Sequence, residues 1–137
     1  MDEPRRSESL TFSSSVYELT PDKFDRNKSW ALKPGQYPKL VFFYVPWCPY
    51  CQKAVPLLNK LGNWVEKMKK PILICSFNCE LYKERASAIR EDVPSVIDAY
   101  PSILTYSPEG EPVEKFPREV QRSLPLLKKM CERIMED

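Results

Sequence analysis

The amino-acid sequence predicts a single α/β domain in which a central mixed β-sheet is flanked by helices on both faces. Two apolar runs, residues 40–45 and 71–77, are typical of central strands that are buried on both sides. Amphipathic helical patterns accompany these strands, and the turn at residues 107–110 predicts a hairpin of antiparallel strands. We therefore expect the element order β-α-β-α-β-α-β-β-α.

The N-terminal elements are predicted to be short. Residues 1–14 are polar, and we expect a flexible segment that precedes a domain over residues 15–137. Residues 16–19 have the character of a strand. Thr20 is then expected to cap a short helix with Pro21 at its first position, which proline tolerates because no backbone donor is needed there.

A long amphipathic helix is predicted to follow the first central strand. Its apolar residues recur at helical spacing over about residues 50–68, and we expect Pro56 to kink it. A charged helix is predicted at about residues 81–90, and a closing helix with one apolar face at about 119–135. The pattern of residues 93–99 indicates no particular element.

Composition excludes several classes of function. The 137 residues include 21 basic and 19 acidic side chains, so a net charge of +2 creates no strong field for nucleic acid. The absence of histidine excludes serine-type triads, cysteine–histidine pairs and histidine metal sites. No apolar run approaches the roughly 18 residues that cross a bilayer. We therefore expect neither a nucleic-acid partner nor a membrane span.

The chemistry is expected at Cys48 and Cys51, which lie where a buried strand leads into a helix. A helix N-terminus offers free N–H groups and the positive end of the dipole, which favour the thiolate form of Cys48. Cys51, one turn further along, is placed to attack a mixed disulfide at Cys48 and release the substrate. Cys48 is thus the predicted nucleophile and Cys51 the resolving thiol.

A zinc site is the alternative for such a pair, but it would need further ligands. Cys75 and Cys79 are the candidates, and in one strand they would lie about 13 Å apart, too far for one compact site. We therefore expect no metal and no cofactor. The favoured interpretation of Cys75, Cys79 and Cys131 is that they are small buried apolar residues.

The segment Phe43-Tyr44-Val45-Pro46-Trp47-Cys48-Pro49-Tyr50-Cys51-Gln52-Lys53 resembles the active-site segment of protein disulfide isomerase domains, which belong to the thioredoxin-like superfamily. Pro56 matches the proline in the family's active-site helix, and Tyr100-Pro101-Ser102 is similar to the family's aromatic-Pro-Thr. Residues 114–119 resemble the segment before the last helix. The resemblance keeps its order over about residues 16–135 and implies a thioredoxin fold.

The resemblance also implies roles for residues around the two thiols. Pro101 matches the family's cis-proline, so Tyr100 and Pro101 are expected to contact substrate. Arg118 matches an arginine that stabilises the resolving thiolate, although a solvated surface arginine is equally compatible with the sequence. Trp47 is expected to flank the thiolate or else to be an ordinary core aromatic. The remaining expected substrate contacts are Pro49 and Tyr50, between the cysteines.

The sequence departs from the family in three places. Phe42 stands where a buried acid usually lies, and Ser76 stands where its lysine partner usually lies, so proton transfer at Cys51 would depend on water or Arg118. The dipeptide between the cysteines is typical of glutaredoxins, but glutaredoxins lack the preceding tryptophan. Its neutral residues predict a less oxidising dithiol than one with a histidine. Residues 80–99 appear as an insertion.

We expect a thiol–disulfide oxidoreductase or isomerase that acts on protein cysteines and exchanges electrons with a redox partner protein or glutathione. The alternatives are a thioredoxin-fold module that binds client proteins with little or no catalysis, and the redox domain of a larger sulfhydryl oxidase. The expected compartment is the endoplasmic reticulum lumen or another secretory-derived compartment, with the cytosol as alternative. We expect a monomer.

Overall fold

The computed structural model describes residues 10–136. Its centre is a five-stranded sheet with strand order β1-β3-β2-β4-β5. Strand β3 pairs in parallel with β1 and β2, whereas β4 is antiparallel to both β2 and β5, which confirms the predicted mixed sheet. The strands are β1 (Tyr17–Glu18), β2 (Lys39–Tyr44), β3 (Leu73–Asn78), β4 (Ser102–Tyr106) and β5 (Pro112–Lys115).

The helices follow the predicted order. They are α1 (Pro49–Met68), α2 (Lys83–Asp92), α3 (Arg118–Gln121) and α4 (Leu124–Met135), with a 3₁₀ turn at Pro21–Lys23. Pro56 lies inside α1, where it cannot donate the usual hydrogen bond to the preceding turn. Within residues 10–136, no helix has the length and apolar character needed to cross a membrane.

Aromatic side chains fill both faces of the central strands. Successive residues of a strand point to opposite faces, so Phe42 and Tyr44 share one face and Phe43 lies on the other. Phe42 and Tyr44 stack on each other, and Phe12 meets both rings edge-on at centroid distances of 6.0 and 5.5 Å. Phe43 contacts Phe77 edge-on at 6.0 Å. These buried rings anchor β2, which is followed by the turn that leads to Cys48.

Residues 10–14 pack against the domain. The Ser13 N–H donates to Asn59 Oδ1 of α1 at 2.9 Å, and the ring of Phe12 covers the aromatic pair of β2. The segment predicted to be flexible therefore has ordered contacts from Leu10 onward, because it carries apolar side chains between its serines. Residues 1–9 lie outside the described part of the chain. The domain boundary at residue 15 stays a prediction.

The structure corrects two helix predictions. The closing helix, predicted as one element, is divided into α3 and α4 because Ser123 caps a new helix, accepting from the Leu126 N–H at 3.3 Å, and Pro125 occupies its first turn. The helix predicted after Thr20 is only a 3₁₀ turn. The Thr20 hydroxyl donates to the Asp22 carboxylate and does not cap the turn.

Candidate active site

Cys48 occupies the N-cap position of α1, immediately after the turn that ends β2. Its N–H donates to the Val45 carbonyl at 3.3 Å, and the Gln52 side chain donates to the Pro46 carbonyl at 2.8 Å, so both ends of the turn are fixed. The Cys48 Sγ accepts the Cys51 N–H at 3.3 Å. The Cys48 sulfur therefore lies at the N-terminus of α1, at the positive end of the helix dipole. This geometry suits a nucleophile.

Cys51 lies behind Cys48 in the first turn of the same helix. It is fully buried, whereas Cys48 is 6% exposed. Burial raises the pKa of the Cys51 thiol, and the hydrogen bond and charge of Cys48 raise it further. A backbone hydrogen bond from Val45 acts in the opposite direction. The raised pKa favours the protonated thiol of Cys51, and its role as the resolving thiol stays a prediction.

The loop that leads into β4 lies against Cys48. The Tyr100–Pro101 peptide bond is cis, as predicted, and the expected substrate contacts of Tyr100 and Pro101 stay a prediction. The Cys48 Sγ lies 3.6 Å from the Tyr100 carbonyl oxygen, within hydrogen-bonding distance for sulfur. Ser102 donates its hydroxyl to the Ala99 carbonyl and holds the loop from the other side. The structure thus brings Cys48, Tyr100 and Pro101 together.

The Tyr100 side chain is held by two residues that the sequence analysis did not assign to the site. Arg90 of α2 donates to the Tyr100 hydroxyl, and its guanidinium lies 5.3 Å from the centroid of the ring. The Tyr100 hydroxyl is also hydrogen-bonded to the Cys79 thiol, and burial raises the pKa of Tyr100. Arg90 lies within the insertion at residues 80–99 and Cys79 immediately precedes it, so the family resemblance gave no signal for either residue.

The residues around the cysteines are exposed to different degrees. Trp47 is 66% exposed and donates its indole N–H to Glu80 at 3.4 Å, so it flanks the site rather than filling the core. Pro49 is exposed, and Tyr50 is 52% exposed. The Arg118 guanidinium lies 5.7 Å from the centre of the Tyr50 ring. The role expected for Arg118 at Cys51 stays a prediction.

A cavity of about 810 Å³ opens beside the dithiol, between α1, the loop before β4, and α3. Tyr50, Tyr100 and Pro101 line it, together with basic side chains that the sequence analysis did not assign to the site. These are Lys53, Lys115 and Arg122. Lys53 could have been assigned to the site from its position three residues after Tyr50, because residues with that spacing share a helix face.

The two positions at which the family resemblance places a buried acid and its lysine partner lie side by side on neighbouring strands. Phe42 of β2 pairs directly with Ser76 of β3, and both side chains are buried. The Ser76 hydroxyl has no hydrogen-bond partner within residues 10–136. An apolar ring therefore faces a serine here, and among residues 10–136 no ion pair joins β2 to β3. That these residues replace the family's acid and lysine stays a prediction.

The other three cysteines are buried at 3% exposure or less, in agreement with their interpretation as small apolar residues. Burial raises the pKa of each of these thiols, Cys75, Cys79 and Cys131, to about 12. All five cysteines are free thiols in this structure. The described residues contain no cluster of three or more cysteine or carboxylate side chains arranged to hold a metal ion.

Comparison with known proteins identifies a family whose match covers both the fold and the segment with Cys48 and Cys51. The sequence matches the Thioredoxin family over residues 15–129. It is 32% identical over 121 residues to protein disulfide-isomerase 5-2 of Arabidopsis thaliana, covering 88% of this chain and 25% of that protein. It is 29% identical over 93 residues to protein disulfide-isomerase MPD1 of Saccharomyces cerevisiae, covering 68% of this chain and 26% of that protein.

Among solved structures, the Trx4 domain of ERdj5 superposes with a TM-score of 0.66 at 22% identity, covering 90% of this chain and 98% of that domain. This likeness shows the fold. The chain spans about a quarter of the length of the curated relatives named above. The family match covers most of the chain and includes the Cys48–Cys51 pair at the N-terminus of α1. The chain belongs to the thioredoxin family, and its domain is of the protein disulfide isomerase type.

Proposed function

We propose that this domain is a thiol–disulfide oxidoreductase or isomerase that acts on protein cysteines through Cys48 and Cys51. The observation that carries the proposal is the asymmetry of the two thiols. Cys48 caps α1 and receives a helix N–H, whereas Cys51 is fully buried with a raised pKa. One thiol is thus prepared to attack, and the other is held in reserve.

In the reductive direction the Cys48 thiolate attacks one sulfur of a substrate disulfide. A bond forms between Cys48 and that sulfur, the substrate S–S bond breaks, and the leaving thiolate takes a proton from solvent. Cys51 then loses its proton and attacks the Cys48 sulfur. The Cys48–Cys51 disulfide forms, the second substrate thiol leaves, and two electrons have passed from the domain to the substrate.

The reverse sequence oxidises a substrate dithiol. Isomerisation needs only the first step, because the mixed disulfide at Cys48 can be attacked by another cysteine of the same substrate. Tyr100 and Pro101, beside the Cys48 sulfur, and the exposed Trp47, Pro49 and Tyr50 are the proposed substrate contacts. A redox partner protein or glutathione would restore the starting state of the dithiol.

One observation favours the client-binding alternative. Phe42, buried in β2, stands where the family resemblance places a buried acid, so that position offers no carboxylate to receive the Cys51 proton. The proton must pass to water, or Arg118 must stabilise the resulting thiolate, and both routes predict slow resolution of mixed disulfides. The two proposals therefore differ in the rate of the second step.

Trapping of mixed disulfides tests the proposal. Reduced protein, Cys51→Ser and Cys48→Ser are each incubated with a scrambled disulfide protein, and covalent complexes are counted on non-reducing gels. We expect Cys51→Ser to accumulate a complex that dithiothreitol removes, and Cys48→Ser to form none. Absence of a complex with Cys51→Ser, together with unchanged substrate disulfides with the native protein, would reject the enzymatic proposal in favour of client binding.

We further propose that the protein works as a monomer in the endoplasmic reticulum lumen or another secretory-derived compartment. The similarity to curated protein disulfide isomerases supports this compartment, and the cytosol is the alternative. Because the chain spans about a quarter of those relatives, the redox domain of a larger sulfhydryl oxidase is a further candidate. Fractionation of the endogenous protein, with its size on reducing gels, separates these cases.

A further inference from the structure

The cavity beside the dithiol has a strongly one-sided charge. Its lining includes four basic side chains and one acidic side chain. The basic residues are Lys53, Lys115, Arg118 and Arg122, and the acid is Asp98. The chain as a whole is close to neutral, with a net charge of only +2, so this concentration of positive charge is local. A local excess of one sign raises the concentration of oppositely charged ligands.

Three of the cations are free to act on a ligand. Asp98 neutralises Lys115 through an ion pair, and this contact lowers the pKa of the Asp98 carboxyl. Lys53, Arg118 and Arg122 are exposed and form no ion pair with any carboxylate of residues 10–136. Three positive charges in the cavity therefore have no counterion among residues 10–136.

Two of these charges lie beside the ring of Tyr50. The guanidinium groups of Arg118 and Arg122 lie 5.7 and 5.2 Å from the centroid of its ring. Stacking on an aromatic ring orders an arginine but leaves its N–H groups free to donate to a carboxylate. Lys53 lies one turn along α1 from Tyr50, on the same face of the helix. The free charges are thus arranged around one tyrosine.

The cavity is also close to the reacting sulfur. Tyr100 and Pro101 form one wall, and the Tyr100 carbonyl lies 3.6 Å from Cys48 Sγ. An extended peptide advances about 3.3 Å per residue, so side chains two or three positions from a reacting cysteine would reach the cavity. Its volume of about 810 Å³ accommodates several such side chains.

We infer that this cavity is a subsite for carboxylates on the substrate, and that the domain prefers protein substrates in which acidic residues flank the reacting cysteine. The inference rests on the proposed function and adds a substrate class to it. Lys53, Arg118 and Arg122 would bind the carboxylates and so raise the rate of encounter with Cys48. Glutathione carries carboxylates as well, and the experiment separates the two sources.

The test uses short single-cysteine peptides activated as 2-pyridyl disulfides, whose leaving group is uncharged. Three peptides of equal length carry Glu, Gln or Lys at the positions that flank the cysteine. Attack by Cys48 forms a mixed disulfide with the peptide and releases 2-thiopyridone, which is followed by absorbance in a stopped-flow instrument. The Cys51→Ser variant isolates this step, and an uncharged small thiol corrects for the intrinsic reactivity of each peptide.

We expect the Glu peptide to react about tenfold faster than the Lys peptide at low salt, with the difference shrinking as salt is added. Arg122→Gln and Lys53→Gln should each lower the Glu-to-Gln rate ratio about two- to fivefold. Lys67→Gln is the matched control, since it removes the same charge from α1 about 21 Å further along the helix. It should leave the ratio unchanged.

Equal corrected rates for the three peptides, or equal effects of Arg122→Gln and Lys67→Gln, would overturn the inference. Oxidised glutathione and its ethyl ester form the second arm. A charge effect seen with glutathione but not with peptides would also overturn it, because the cavity would then be a small-molecule site. No thiopyridone release above that of Cys48→Ser with any peptide would instead refute the proposed function.

Discussion

Iodoacetamide at pH 8 is expected to modify Cys48 in the reduced, folded protein long before Cys75, Cys79 or Cys131. Burial raises the pKa of each of these three thiols to about 12. At pH 8 only about one in 10⁴ such thiols is ionised, against about a quarter of free cysteines, whose pKa is about 8.5. Ionisation alone therefore slows the three by about 10³-fold relative to free cysteine. The buried Cys51, with its raised pKa, should also react slowly.

The assay is timed alkylation, followed by acid quenching, proteolysis and mass spectrometry of each cysteine peptide. Below pH 12 the rates of the three buried thiols should rise about tenfold per pH unit, because the thiolate fraction rises by that factor. In guanidinium chloride all five cysteines should react at similar rates. Modification of Cys75 or Cys131 in the folded protein within tenfold of the rate at Cys48 would refute the assignment of Cys48 as the one reactive thiol.

Three further predictions concern stability. Cys75, Cys79 and Cys131 have a pKa of about 12 in the folded state, above the value in the unfolded chain, so their full contribution to the free energy of unfolding is present at neutral pH. Urea titrations should show the free energy of unfolding decreasing between about pH 9 and 12, by about 1 kcal/mol per pH unit for each thiol. A flat profile would contradict this prediction. Gly110→Ala should lower the free energy of unfolding by about 2 kcal/mol or more, because φ is +98° and a Cβ would lie 1.8 Å from the Leu32 carbonyl oxygen. Gly35→Ala should be tolerated in the same titration, because a Cβ there would meet only the flexible end of a lysine side chain. Phe12→Ala should lower the free energy of unfolding by about 2 kcal/mol, because two edge-on ring contacts are lost. The control Leu126→Ala, at an exposed position, should lower it much less. Equal losses for the two variants would show that residues 10–14 are not packed in solution.

The local sequence pattern was enough to predict where Cys48 and Cys51 lie in the fold. A continuous apolar run predicted β2, and the periodic residues after it predicted α1, so the position of Cys48 at their junction followed directly. The cis bond before Pro101 followed from the family resemblance rather than from the pattern of residues. These features depend on neighbours in sequence, which is why they could be predicted without contacts.

Features that depend on contacts between residues far apart in the sequence were harder to predict. Leu10 and Phe12 look like part of a polar lead-in until the aromatic face of β2 is seen beneath them. The division of the last helix was readable in principle from Ser123 and Pro125, but the apolar periodicity that runs through both helices obscured it. Periodicity reports which face is buried, whereas caps decide where a helix starts.

The basic cavity could not be predicted from the sequence, because its charges come from separate elements. Lys53 belongs to α1, Lys115 to β5 and Arg122 follows α3, and their opposing acid lies in the loop before β4. Only the folded sheet brings these elements together. The net charge of +2 gives no sign of this local excess of basic side chains, because acidic residues elsewhere in the chain balance their charge.

The equilibrium reduction potential of the Cys48–Cys51 pair tests the central claim most directly. The protein is equilibrated in glutathione buffers, its tryptophan fluorescence reports the redox state, and Cys48→Ser provides the blank. The account predicts a reversible two-electron transition between about −180 mV, the value of protein disulfide isomerase, and about −270 mV, the value of thioredoxin, because the residues between the cysteines carry no positive charge. The absence of any reversible thiol–disulfide transition would contradict it.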